Sequence, residues 1–277
     1  MIIRSVLLFS LILMSSHLRA QIVDEMEDET KLYAETKQIN QFFRRFNGEE
    51  DEKGERYYPK DKQFQNPKLR RKYLDMLFDR SNAGISNDLK VQFVNEVLEK
   101  NDPSLLNFHG GNWFAEVQST FTVNGKEKLV TLFMELEKHR LGTRWIIYKA
   151  HADMFDPYYK RDTVAIGKFL HPMSHELDFM NLRKAFLNRD SVAQFVSKKF
   201  TPDHLSVFLY EIKKGGLKFK SVDDVKFHFF QIPGWYFELA EFNRPGYNTG
   251  WLISNLVKLN NNADEALLRR FVHHEIN

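Results

Sequence analysis

The chain has 277 residues and no cysteine, with 40 Lys and Arg against 37 Asp and Glu. Without thiols there are no disulfides, thiolate nucleophiles, cysteine–zinc sites or thiol-linked lipids. The mixed, nearly neutral charge lacks the footprint of a nucleic-acid binder, and the length suffices to bury a core without covalent staples.

Met1–Ala20 reads as a secretory signal peptide. Arg4 supplies the positive start, Val6–Met14 is apolar apart from Ser10, and Leu18-Arg19-Ala20 leads to a cut between Ala20 and Gln21. The apolar run falls well short of the ~20 residues that span a bilayer, so no membrane span is expected after cleavage. No Asn-x-Ser/Thr sequon occurs. With the leader, this points to the periplasm or exterior of a Gram-negative bacterium.

The acidic run at residues 24–30 reads as a solvated helix start. Ile39, Phe42, Phe43 and Phe46 then fall at helical spacing. Charged, glycine-containing Gly48–Pro59 reads as a loop, and Asn66-Pro67 opens a second helix with a stripe of Leu69, Tyr73, Met76 and Leu77. A third helix begins near Asn87 and turns Leu89, Phe93 and Val97 inward. Period-two patterning follows in Leu105–His109, Trp113–Val123, Lys128–Lys138 and Arg144–Ala152, with Asn124-Gly125 as a strong hairpin signal. Asp153–Pro172 reads as a connector. Helical patterning resumes through Leu177–Phe186, Ser191–Lys199 and Pro202–Lys214, and Gly215-Gly216 stops it. Strands are expected at Val225–Gln231, Trp235–Phe242 and Gly250–Leu259, and an amphipathic helix at Ala263–Glu275.

Helices then strands, twice over, define an α+β chain: a unit at 21–152, a connector at 153–174 and a second unit at 175–277. An internal echo supports duplication. Trp113-Phe-Ala-Glu-Val matches Trp235-Tyr-Phe-Glu-Leu, and Thr143-Arg-Trp-Ile-Ile matches Thr249-Gly-Trp-Leu-Ile. These segments hold all four tryptophans. The tryptophan spacing differs between the halves, leaving room for an extra strand in the first. Helices followed by a curved antiparallel sheet with a Trp-led last strand resembles the cone-shaped nuclear transport factor two-like superfamily, which includes ketosteroid isomerase and SnoaL-like proteins. The resemblance implies a pocket between sheet and helices. It implies no particular reaction, and the isomerase's catalytic Asp and Tyr have no matching motif positions here.

Chemistry-bearing motifs are sparse. No GxSxG elbow, Walker loop, GxGxxG or HExxH occurs. Glu116 and Glu238 sit at equivalent places in the echo, either as pocket carboxylates suited to acid–base work or as ordinary strand residues. His171 and His175 are four apart but interrupted by Pro172. His151, Asp153 and Asp156 form a loose group, and His273-His274-Glu275 ends the last helix. None has convincing metal-ligand spacing, and no metal or cofactor is expected. Asp162-Thr163-Val164 and Asp190-Ser191-Val192 resemble the O-glycosylation motif of exported Bacteroidota proteins, making Thr163 and Ser191 candidate acceptors. Gln21 at the new N-terminus also fits that phylum.

The sequence thus points to an exported, non-catalytic binding or accessory protein. Its ligand surface is expected around Trp113, Trp145, Trp235 and Trp251, and its partner is a small molecule, glycan or envelope protein. The alternatives are a small-molecule isomerase, lyase or hydrolase using a pocket carboxylate or histidine, and a component of an envelope assembly.

Overall fold

A computed structural model describes residues 39–140, 142–158, 203–244 and 248–275. The signal segment with Ala20 and Gln21, the acidic run, the helices expected across 177–199, His171, His175, Thr163 and Ser191 lie outside the described residues.

Among the described residues are five helices: α1 (39–47), α2 (Pro67–Met76), α3 (Asn87–Val97), α4 (His204–Lys214) and α5 (Asn262–Val272). The strands are β1 (Trp113–Val123), β2 (Lys126–His139), β3 (Gly142–His151), β4 (Lys218–Phe229), β5 (Trp235–Phe242) and β6 (Gly250–Lys258). The chain is α+β, and all six strands join one open antiparallel sheet in the order β3-β2-β1-β4-β5-β6. Two three-stranded meanders therefore meet at β1 and β4.

Local chemistry explains most boundaries. Asn66 caps α2 by accepting from the backbone N–H groups of Lys68 and Leu69, and Pro67 follows at the first turn. Ser86 caps α3 and Asp203 caps α4 in the same way. Asn124 and Gly125 both take positive φ, 49° and 75°, as the two-residue β1–β2 turn requires.

Two strand expectations need correction. Leu105–His109 is not a strand. Leu106 is buried, and its N–H and C=O are both bonded by the Asn47 side chain at 2.9 Å, so a side-chain amide replaces a neighbouring strand. β4 begins at Lys218, not Val225, because its charged first half is exposed and only its last three residues are fully buried.

Both third strands carry a bulge. The β2–β3 register slips so that Tyr148 is the extra residue, and the β5–β6 register slips so that Ser254 is. Each lies three residues beyond its tryptophan, Trp145 or Trp251. The second pair of echoing segments thus occupies corresponding strands, β3 and β6. The first pair does not, since Trp113 starts β1 and Trp235 starts β5.

The chain divides into two compact units that interleave along the sequence. The first runs to Trp113 and resumes at His228–Asn262; the second is Phe114–Phe227 with Ala263–Asn277. The first unit has an aromatic core. Phe237 stacks on Phe229 at 4.7 Å and on Phe46 at 6.0 Å, and Phe93 meets Trp235 edge-on at 5.1 Å. Arg70 is buried in it, donating from Nε to the Phe46 carbonyl at 2.8 Å and from a terminal nitrogen to the Ser104 carbonyl. It thereby satisfies an orphan carbonyl at the end of α1. Burial lowers its pKa to about 10, against the raising effect of Glu49. In the second unit, Phe121, Val130, Leu132, Ala150, Phe155 and Phe208 pack together.

Candidate functional site

The first unit contains a cleft of ≈ 990 Å³ between α1, α2 and the facing ends of β5 and β6. Apolar residues Phe42, Tyr73, Leu77 and Trp251 line it, with Arg45, Lys53, Lys72 and Arg80 as its cations. Glu52, Asp75 and Glu241 supply negative charge. Lys72 pairs with Glu52 at 2.5 Å, and Arg45 with the buried Glu50 at 3.2 Å. The Tyr73 hydroxyl lies 3.1 Å from that of Tyr57. Burial, then the Tyr57 hydrogen bond and the nearby Asp51 and Glu52 charges, push its pKa above the usual phenol range, so it remains a neutral hydroxyl.

One end of the cleft is fixed where the chain leaving α2 bridges β6. The Ile253 N–H donates to the Leu77 carbonyl at 2.7 Å, and the Asp79 N–H donates to the Ile253 carbonyl at 3.1 Å. Arg244 locks this joint by donating to Asp79 at 2.6 Å and to the Asn248 carbonyl at 2.7 Å, while Asn248 donates to the Phe78 carbonyl at 2.8 Å.

The second unit holds an imidazole cluster. His151 ends β3, His204 opens α4 and His274 follows α5. The His151 ring lies 5.4 Å from that of His204 and 5.0 Å from that of His274. Each faces its own carboxylate: His151 Nε2 is 3.3 Å from Asp153, His204 Nε2 is 3.5 Å from Asp156, and His274 Nε2 is 3.6 Å from Glu116. Burial, then the neighbouring His274 and His204, hold the His151 pKa below the usual histidine value, with Asp153 opposing. The bulge at Tyr148 brings its hydroxyl to His273 Nε2 at 2.6 Å, and His273 stacks on Phe114 at 4.6 Å. Among the described residues, no three histidines or carboxylates are arranged to hold a metal ion.

The expected site residues separate into different settings. Trp113 stacks on Phe229 at 5.4 Å in the aromatic core. Trp235 is also buried, with its Nε1 donating to Glu96 at 2.8 Å and Lys258 over its ring at 4.5 Å. Trp251 is buried against the cleft. Trp145 is half-buried beside Phe227. Glu238 is half-buried and accepts from the Ser254 hydroxyl at 3.0 Å. Glu116 is buried and joins the imidazole cluster.

Sequence reading kept His151 and His273–Glu275 apart and overlooked His204. Their meeting depends on the sheet register and the docking of two helices, which no local spacing encodes. It likewise overlooked Tyr73 and Arg80 as cleft residues; the only signal was the helical stripe containing Tyr73.

No family model matches this chain, and neither a curated protein nor a solved structure matches it.

Proposed function

We propose that this is an exported binding or accessory protein of a Gram-negative envelope, non-catalytic, whose ligand occupies the cleft of the first unit. The observation that carries the reading is the cleft itself: a buried aromatic wall, Tyr73 and Trp251, beneath a rim bearing both charge signs. Such a site suits a small polar molecule or glycan fragment that buries an apolar face and meets separate cationic and anionic groups at its edge. The leader and Gln21 support export, with Thr163 and Ser191 as glycan acceptors on the exported chain. The matched bulges of β3 and β6 support a partial duplication, and a sheet with helices beside a cleft agrees with a nuclear transport factor two-like ancestry.

Two measurements test the reading. Mass spectrometry of the mature protein is expected to find Gln21 first; a mature chain starting at Met1 overturns export. A panel of muropeptides, oligosaccharides and small organic acids is expected to give at least one saturable quench of tryptophan fluorescence, weakened about tenfold or more by Arg80→Glu, since a charged hydrogen bond contributes about 1.5–3 kcal/mol. Binding that survives both Arg80→Glu and Trp251→Phe unchanged places the ligand elsewhere.

A second reading rests on Glu116. A buried carboxylate facing an imidazole suits the acid–base step of an isomerase, lyase or hydrolase. Its signature is turnover of a panel substrate that Glu116→Gln abolishes and cleft variants leave intact.

A further inference from the structure

Most bulky apolar side chains of the described residues are covered, but one stretch is an exception. Of the eleven large hydrophobic side chains left exposed, five lie within residues 209–222 of the second unit. Tyr210 is 60% exposed, Phe219 51% and Leu209 47%, and Ile212 and Val222 complete the set. The helix–strand turn that carries them is anchored by core contacts. Phe121 meets Phe208 of α4 at 5.4 Å and Phe219 of β4 at 5.6 Å, both edge-on, and Leu217 is buried between. Gly215 takes φ 77°, the left-handed C-cap that turns α4 directly into β4. With Phe208 fixed inward, helical periodicity turns Tyr210 and Lys213 towards solvent.

The same stretch is strongly basic. Residues 209–222 contain Lys213, Lys214, Lys218 and Lys220 against Glu211, and Asp223 and Asp224 follow directly on β4, where Asp223 accepts from Thr120 and Ser221. Lys214 lies over the Tyr210 ring at 5.6 Å, and Lys220 pairs with Glu127. The apolar tips are interleaved with the lysines and form no single dry stripe. A protein partner covering them would have to desolvate ammonium groups. A bilayer surface takes aliphatic and aromatic tips into its acyl boundary while the ammonium groups stay among the phosphates.

We infer that the α4–β4 hairpin is a peripheral docking surface for anionic lipid. This goes beyond the cleft reading and does not depend on it.

The absence of cysteine makes the test site-specific. Leu209→Cys, or Phe219→Cys should the first variant fold poorly, is labelled with an environment-sensitive nitrobenzoxadiazole. Val91→Cys on α3, also exposed, is the control. The full chain is mixed with vesicles of equal parts phosphatidylglycerol and phosphatidylcholine. The expected result is a blue shift and loss of iodide quenching at position 209, none at 91, and none at 209 with phosphatidylcholine alone. Lys213→Gln, Lys214→Gln and Lys218→Gln together are expected to cut partitioning roughly a hundredfold, since each juxtamembrane lysine contributes about a fivefold factor. No shift at 209 on the anionic vesicles overturns the proposal. So does an equal shift at 91 or on neutral vesicles, and so does an equal shift with soluble polyglutamate, which would assign the surface to an acidic polymer.

Discussion

In the first unit Phe42, Phe46, Phe93, Phe229 and Phe237 pack ring against ring, and Arg70 and Glu50 are buried in the same unit with hydrogen-bonded partners. Arg70 bonds backbone carbonyls, and Glu50 accepts from Arg44 at 2.6 Å and Arg45 at 3.2 Å. The second unit packs Phe121, Phe155 and Phe208 among smaller aliphatic side chains, and part of it is given over to histidines. The first should fail when volume or a fixed hydrogen bond is removed. The second should respond to pH just below the usual histidine value.

The largest expected effect is Phe237→Ala. It removes a ring packed against four others and should destabilise the first unit by about 3–5 kcal/mol. Denaturant melts followed by tryptophan fluorescence check this, since Trp113, Trp235 and Trp251 all report on that unit. Arg70→Met comes next at about 2–3 kcal/mol, the cost of leaving the buried Phe46 carbonyl and the partly buried Ser104 carbonyl without their donor. A neutral outcome would show the guanidinium to be replaceable by any side chain of its volume. Asn47→Ala should cost about 1–2 kcal/mol by unpairing Leu106, with faster amide exchange at Leu106 as its local sign.

The smallest effect is the one that separates the units. The unfolded His151 ring takes a proton in the usual histidine range, while in the fold its pKa is lower. Between the two values the unfolded chain binds more protons, so the stability of the second unit falls as pH drops through that window. His151→Gln should flatten the dependence, read from amide exchange across β3 and α5. Glu96 gives the first unit a different window. Burial works against its ionised form, but hydrogen bonds from Lys258, Trp235 and Gln92 prevail and lower its pKa. Its contribution is present above the carboxylate range and lost as pH falls through it. Equal sensitivity of both units just below the usual histidine value would contradict this assignment.

Features governed by neighbours in sequence were legible from residues alone. The spacing of Ile39, Phe42, Phe43 and Phe46, the Asn66-Pro67 start and the Asn124-Gly125 turn each carry their own instruction. Features made by distant partners were not. Arg70 interrupts a stripe read as Leu69, Tyr73, Met76 and Leu77, and only the carbonyls of Phe46 and Ser104 explain its burial. Leu105–His109 alternates like a strand, yet a single amide from α1 satisfies its buried member. The imidazole cluster draws on four separate segments, and of the tryptophans singled out only Trp251 reaches the cleft.

The interleaving of the two units has a consequence for biogenesis. Synthesis is vectorial, so Phe42, Phe43, Phe46 and Phe93 emerge long before Phe229, Trp235 and Phe237, the rings that cover them. The whole of Phe114–Phe227 must be translated in between. Throughout that interval the nascent first unit has no completed core. Its phenylalanines have no ring partners from β4 and β5 until those strands are made.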